Sequence, residues 1–285
     1  MATQLASLPE VERLSPVCIR ILGGNPGKFT LQGTNTYLLG RGNRRILIDT
    51  GEGMPSWITA LKSTLEKEQA TIETVLITHW HRDHQGGIRH LLDLYPDSKI
   101  FKNQPDESQL DIEDGQKFVV DGVSLTAVFT PGHTVDHMVF VLEEEDAMFT
   151  ADNVLGQGTA VFEDLATYLN SLEKMRHLFK GRAYPGHGPV IDSGPAKISE
   201  YINHRKTREE QVIRTLRTQR DVDAAEGRPD AWTPMELVKI IYHDVPEELH
   251  VPACSGVIQI LNKLEKEERV SQSDERWIWK DRSSL

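Results

Sequence analysis

Cysteines and long apolar runs are scarce in this sequence. The chain has 285 residues and two cysteines, Cys18 and Cys254, which lie too far apart for a CxxC metal site. We therefore expect core thiols in a reducing compartment. No apolar run approaches the roughly 18–20 residues that a membrane helix needs, so we expect no membrane-spanning segment. The N-terminus shows neither a secretory apolar core nor an Arg-rich transit pattern, so the sequence alone indicates an intracellular protein.

An excess of positive charge is also missing. The formal net charge is −11, whereas dedicated nucleic-acid binders usually present a basic surface. The charge is uneven, because residues 205–220 hold six basic side chains against two acidic ones, a local excess of four. This segment is suited to a phosphate backbone, and a solvated helix face is the alternative interpretation. The candidate substrate-binding residues are Arg205, Lys206, Arg208, Arg214 and Arg217.

The strongest functional signal is a six-residue segment that follows an apolar run. It reads His79-Trp80-His81-Arg82-Asp83-His84 and comes directly after Thr74–Thr78. One helix or strand cannot aim all four His and Asp side chains at one point, because side chains alternate along a strand and spread around a helix. A loop at the end of a strand can do so. His and Asp suit borderline divalent metals, above all Zn²⁺, with Fe and Mn as competitors.

Three more residues of ligand type follow at the ends of predicted strands. His133 lies in a Thr-Pro-Gly-His-Thr turn, Asp152 ends an extended run, and His187 lies in a Tyr-Pro-Gly-His-Gly-Pro turn. Turns of this composition can fix a side chain at one edge of a sheet. The general acid is not assigned. His137 is a candidate, and a structural hydrogen bond within its turn is the competing interpretation.

This order of His and Asp residues resembles the metallo-β-lactamase fold superfamily over about residues 17–200. The segments Leu47–Gly51 and Thr130–Thr134 match its pattern as well. The resemblance implies two Zn²⁺ per chain, with Asp83 and Asp152 as catalytic carboxylates. It assigns one metal to His79, His81 and His133, a second to Asp83, His84 and His187, and a bridging role to Asp152. Asp49 would orient a ligand imidazole, as metal-bound His usually requires.

More narrowly, the chain resembles the animal beta-lactamase-like protein 2 group, which is described as mitochondrial endoribonucleases. The motifs lie at residues 31–37, 78–84, 161–165 and 235–242. This resemblance implies a zinc-dependent endoribonuclease of the mitochondrial matrix, a monomer or homodimer, that hydrolyses single-stranded RNA through a metal-bound hydroxide. A thioester hydrolase of the glyoxalase II type is the alternative, because its metal motif is nearly the same. A non-catalytic protein that keeps metal for stability is disfavoured, since structural zinc sites are usually four-coordinate and Cys-rich.

Short apolar runs separated by turns predict an α/β protein in which helices cover packed sheets. The resemblance sharpens this expectation to an αββα sandwich. The predicted helices are Ser56–Lys67, Gly86–Tyr95 and Leu169–Phe179. The predicted strands are Val17–Leu22, Asn35–Leu39, Arg45–Ile48, Val75–Thr78, Lys117–Val120, Val123–Phe129, Met138–Leu142 and Ala147–Thr150.

The composition changes after His187, and we predict three parts: a catalytic domain at 1–200, a basic linker helix and loop at 201–231, and a winged-helix-like domain at 232–285. Thr233-Pro234-Met235-Glu236 predicts a capping box, and Leu237, Ile240 and Ile241 are expected to line one helix face. A second apolar stripe and a hairpin follow. The exposed positions of that second helix mix Lys with Glu, so we expect no DNA readout.

Overall fold

The computed structural model describes residues 5–218, 230–244 and 246–280. Contacts divide the chain into two compact units, one of Met1–Phe162 with Thr167–Ser199 and the other of Glu163–Ala166 with Glu200–Leu285. The division falls within a long helix. The loop of the predicted linker lies mostly outside the described residues, at 219–229.

The first unit contains two sheets. The first has six strands in the order β1-β2-β3-β4-β5-β6, and the second has five in the order β11-β10-β9-β8-β7. The first sheet consists of β1 (Val11–Arg13), β2 (Cys18–Leu22), β3 (Asn35–Leu39), β4 (Arg44–Ile48), β5 (Thr71–Ile77) and β6 (Lys99–Lys102). The second consists of β7 (Lys117–Val120), β8 (Val123–Phe129), β9 (Met138–Leu142), β10 (Ala147–Ala151) and β11 (Ala183–Pro185).

The helices of this unit are α1 (Pro55–Glu68), α2 (Arg82–Gln85) and α3 (Ile88–Leu94), with a 3₁₀ turn at Glu143–Glu145. Helix α4 (Leu165–Met175) belongs to it from Thr167 onward. Helix α5 (Gly194–Leu216) continues into the second unit. No helix in the described part of the chain combines the length and apolar character that crossing a bilayer demands.

Strand β3 shows how the layers form. All five of its residues are buried, as expected when both faces of a strand are covered. Tyr37 and Leu39 join the cluster between the sheets. Leu38, on the opposite face, packs with Trp57 and Leu61 of α1. The predicted αββα sandwich is confirmed.

The helix predicted at Gly86–Tyr95 is confirmed with shorter bounds, as α3. Gly86 and Gly87 are not part of it and separate it from α2. A Cβ on Gly87 would lie 2.1 Å from the Thr50 carbonyl oxygen and 2.6 Å from the Trp57 ring. Close packing of the Gly87 backbone against Thr50 and Trp57 therefore sets the start of α3. The helix predicted at Leu169–Phe179 also begins and ends earlier, as α4.

The second unit has the elements of a winged helix. They are β12 (Ala231–Trp232), α6 (Pro234–Ile241), a 3₁₀ turn at Glu247–Leu249, α7 (His250–Lys266), β13 (Val270–Ser273) and β14 (Arg276–Trp279). The capping box forms as predicted. The apolar face of α6 differs from the prediction, because Leu237 and Val238 are buried whereas Ile240 is 49% exposed.

Candidate metal centre

The ligand-type residues lie at strand ends that the two sheets bring to one edge. His79 and His81 follow β5, and α2 carries Asp83 and His84. The loops after β8, β10 and β11 carry the other three, His133, Asp152 and His187. A hydrogen bond joins the sheets at this edge, where the Met138 N–H donates to the Thr78 carbonyl at 2.8 Å.

The seven side chains form two adjoining groups, and within each group the ligand atoms lie within 4.8 Å of one another. One group is His79, His81, His133 and Asp152. The other is Asp83, His84 and His187. All except His81 and Asp83 are buried, and those two are partly exposed. Asp152 also faces the second group, since its carboxylate oxygens lie 3.4 Å from His84 Nε2 and 3.3 Å from His187 Nε2.

Hydrogen bonds fix the ring orientations in the first group. His133 Nδ1 donates to the Val161 carbonyl at 2.7 Å, which leaves Nε2 with a lone pair. His79 Nδ1 contacts the Thr78 hydroxyl at 2.9 Å. Both Nε2 atoms then face His81 Nδ1, at 3.2 Å and 2.9 Å.

Asp49 organises the second group. It accepts hydrogen bonds from the Thr78 N–H at 2.8 Å and the Thr78 hydroxyl at 2.9 Å. Its Oδ2 also accepts from His84 Nδ1 at 2.7 Å. His84 Nε2 is thereby left facing His187 Nε2 at 3.4 Å. This arrangement orients a ligand imidazole through a buried carboxylate.

The two groups differ in their attraction for protons. Burial and the neighbouring imidazoles hold the pKa of His79 well below its usual value. Burial also lowers the pKa of His187, but the Asp152 and Asp83 carboxylates outweigh this effect and raise it to about 9. The imidazoles of His187 and His84 keep the pKa of Asp152 well below its usual value despite its burial. Cations are therefore favoured where the carboxylates meet His84 and His187.

The donor set fits divalent metal ions. Three imidazole nitrogens face one another within about a hydrogen-bond distance, and the His79 and His133 nitrogens carry lone pairs directed at the same point. A shared cation removes the repulsion between them. Imidazole and carboxylate donors without Cys are typical of catalytic rather than structural zinc sites.

A cavity of about 310 Å³ opens onto this centre. Ligand residues from both groups lie in its wall, including His81, Asp83, Asp152 and His187. The rest of the wall comes from residues 28–31, from Leu155 and from residues 157–161. Among its side chains are Lys28, Phe29, Leu155 and Val161.

Other predicted residues lie outside the two ligand groups. The five basic residues belong to the second unit, four of them to α5 and Arg217 directly after it. Arg208 lies over the Tyr242 ring at 4.4 Å, and Arg217 over the Trp279 ring at 5.7 Å. His137 is fully buried, with Nδ1 at 3.1 Å from the Thr130 hydroxyl, which favours the structural interpretation over the general acid.

Sequence reasoning missed several residues that support the ligands. Thr34 donates to Asp83 at 3.2 Å. The Lys102–Asp136 pair, 2.7 Å apart and almost fully buried, ties the end of β6 to the loop that carries His133. The available signal for this pair was a lysine at a position that alternates with the buried Ile100 and is itself buried in β6.

An αββα sandwich with this His/Asp cluster at one edge defines a metal-binding hydrolase. The chain belongs to the metallo-β-lactamase superfamily, whose family profile matches residues 29–103 and 95–187. A second profile, the beta-lactamase associated winged helix domain, matches residues 233–277, so the predicted winged helix is confirmed.

The chain is similar to curated fungal proteins over nearly its whole length. It is 48% identical to the lactamase-like protein adaB of Aspergillus niger, with 96% of this chain and 89% of that protein covered. It is also 48% identical to a protein of Aspergillus chevalieri named atrochrysone carboxyl ACP thioesterase, with 94% and 87% covered. Both similarities are to fungal lactamase-like proteins, so they support the superfamily without supporting the narrower animal group.

Solved structures show the same fold. A beta-lactamase domain protein from Burkholderia ambifaria superimposes with a TM-score of 0.78 at 15% identity, covering 98% of this chain and 96% of that one. The RNA partner, the mitochondrial location and the oligomeric state stay predictions.

Proposed function

We propose that the protein is a zinc-dependent thioester hydrolase that releases an acyl group from an acyl carrier protein. One observation carries the proposal: a His/Asp metal centre borders a cavity in a chain that is 48% identical to a protein named as an ACP thioesterase. This is the alternative that the sequence motifs left open beside the endoribonuclease.

Each of the two groups of ligands would hold one metal ion. When bound, the ions would supply a water of lowered pKa and positive charge for the oxyanion that develops during hydrolysis. Asp152 bears a negative charge toward both groups, and Asp49 keeps His84 Nε2 directed into the centre. Val161 does the same for His133 through its carbonyl group.

The cavity walls suit an acyl group better than a polyanion. Phe29 and Val161 line the opening and are 70% and 60% exposed, so an apolar acyl group would cover them. Lys28 lies beside Phe29, with Nζ 5.5 Å from the ring centroid. An acidic group on the acyl chain would meet that ammonium.

The relatives favour a thioester over the RNA phosphodiester. Both substrates pass through an oxyanionic transition state, so the metals themselves do not decide between them. In the predicted RNA-binding segment, Arg208 and Arg217 lie over aromatic rings of their own unit. The named thioesterase relative therefore carries more weight than the local positive charge.

The deciding experiment compares two substrates with one preparation of zinc-loaded protein. Acyl-loaded carrier protein and single-stranded RNA are assayed side by side, by thiol release and by gel. We expect thiol release that a chelator abolishes and zinc restores, with no RNA cleavage above the chelated control. Metal-dependent RNA cleavage without thiol release would refute the proposal.

The cavity gives a second test. Phe29→Ala is expected to raise KM for a bulky aromatic acyl thioester several-fold, because it removes apolar contact area, and to leave hydrolysis of an acetyl thioester unchanged. Val119→Ala is a matched control, since Val119 is 68% exposed on β7 and does not line this cavity. An equal effect of both variants would contradict the assigned acyl site.

A further inference from the structure

Thr34 and Asn35, at the start of β3, contact two members of the second ligand group, Asp83 and the turn that carries His187. An isolated antiparallel bridge pairs the backbones of Thr34 and His187. Asn35 Nδ2 donates to the Pro185 and Gly188 carbonyls, each at 2.9 Å, and so fixes the turn that carries His187. The Thr34 hydroxyl contacts Asp83 Oδ2 at 3.2 Å. That same oxygen lies 3.2 Å from His187 Nε2.

The direction of the Thr34 hydroxyl is set by its other partner, Asn25. The Thr34 N–H donates to Asn25 Oδ1 at 2.9 Å, which identifies that atom as the amide oxygen. The amide nitrogen of Asn25 therefore donates to Thr34 Oγ1, at 3.1 Å. Because a hydroxyl has a single proton, and this Oγ1 already accepts from Asn25, its proton is available to Asp83.

The site around Asn25 is built for this contact. Thr34 is fully buried, and Asn25 is 9% exposed. A Cβ on Gly23 would lie 2.7 Å from Asn25 Oδ1, so a larger residue would displace the amide. Gly33 has a φ of +123°, a conformation that glycine adopts most readily. The same pair of hydrogen bonds closes the loop that carries Lys28 and Phe29.

We infer that Thr34 is a positioning residue for the second metal: its hydroxyl holds the Asp83 carboxylate toward His84 and His187, and Asn25 sets the direction of that hydroxyl. The inference rests on the proposed two-metal centre. Outer hydrogen-bond partners of metal ligands typically contribute about 10- to 100-fold in metal affinity. The effect should be selective, because Thr34 contacts the ligand group of Asp83 and not that of His79.

The test compares two threonines of the same strand region. Thr36 is as buried as Thr34, but its hydroxyl donates to the Ile21 carbonyl and accepts from Trp57 Nε1, away from the metal ligands. Zinc-loaded Thr34→Val and Thr36→Val are titrated with a competing chelator, and zinc per chain is measured. We expect Thr34→Val to lose its weaker-bound ion at a chelator concentration about 10- to 100-fold lower than wild type requires. Thr36→Val should keep both ions with the wild-type profile, and Thr34→Ser should restore retention.

Asn25→Asp tests the direction of the hydroxyl. A carboxylate oxygen in place of the amide nitrogen would accept the Thr34 proton, so this variant should release zinc as Thr34→Val does. Circular dichroism of each metal-free variant checks that it is folded.

A wild-type release profile for folded Thr34→Val would overturn the inference, as would equal zinc loss from Thr36→Val. Zinc retention is read without substrate. A wild-type protein that holds two ions but hydrolyses no thioester would therefore refute the proposed function and leave this inference standing.

Discussion

Asp152 offers the most direct test of the two-metal centre. Its carboxylate oxygens lie 3.3 Å from His187 Nε2, 3.4 Å from His84 Nε2 and 3.7 Å from His133 Nε2, so it reaches both ligand groups. Asp152→Asn keeps the shape of the side chain and removes the charge that the two metal ions would share.

The size of the effect follows from electrostatics. Two unit charges 4 Å apart interact by about 4 kcal/mol at an effective dielectric constant of about 20. Since about 1.4 kcal/mol corresponds to a factor of ten, retention of an ion should weaken by as much as about 1000-fold. Turnover should fall by about 100-fold or more, the range found when preorganised charge is removed from a transition state.

The assay measures zinc per chain after dialysis and thiol release from an acyl thioester. Asp146→Asn is the matched control, because Asp146 precedes β10 as Asp152 follows it, yet it is exposed and outside both ligand groups. The control should behave as wild type. Near-normal turnover of a folded Asp152→Asn protein would show that one metal suffices and would refute the bridging role.

Three further predictions follow from the same contacts. Since the pKa of His187 is raised to about 9, zinc binding at neutral pH should displace its proton, and zinc affinity should rise with pH up to about 9. Calorimetry in buffers of different ionisation enthalpy would show this, and no proton release would contradict it. Asp49→Asn should weaken zinc binding by about 10- to 100-fold, because His84 loses the acceptor that fixes its tautomer; an unchanged chelator titration would refute this. Lys102→Met leaves the buried Asp136 carboxylate without its counter-charge, so urea denaturation should show a loss of about 3–5 kcal/mol, against no change for the exposed Lys99→Met.

The sequence by itself predicted the positions of most strands, and its resemblance to the superfamily predicted the sandwich. Strand and helix patterns are local, since burial on one or both faces imposes a period of two or of 3.6 residues on consecutive positions. In the predicted helix Ser56–Lys67, Trp57, Leu61 and Leu65 recur every four residues, and all three are buried along α1 in the structure. The short β11 escaped prediction because three residues carry no period.

Only the tertiary structure decided how the ligand residues are held and what surrounds them. The Val161 carbonyl meets His133 across 28 positions of the chain, Asp49 meets His84 across 35, and Thr34 meets Asp83 across 49. Each contact joins loops from different strand ends, so the periodicity of consecutive residues cannot predict it. Such pairings arise because the packed sheets bring distant strand ends to one edge, where buried polar groups must find partners.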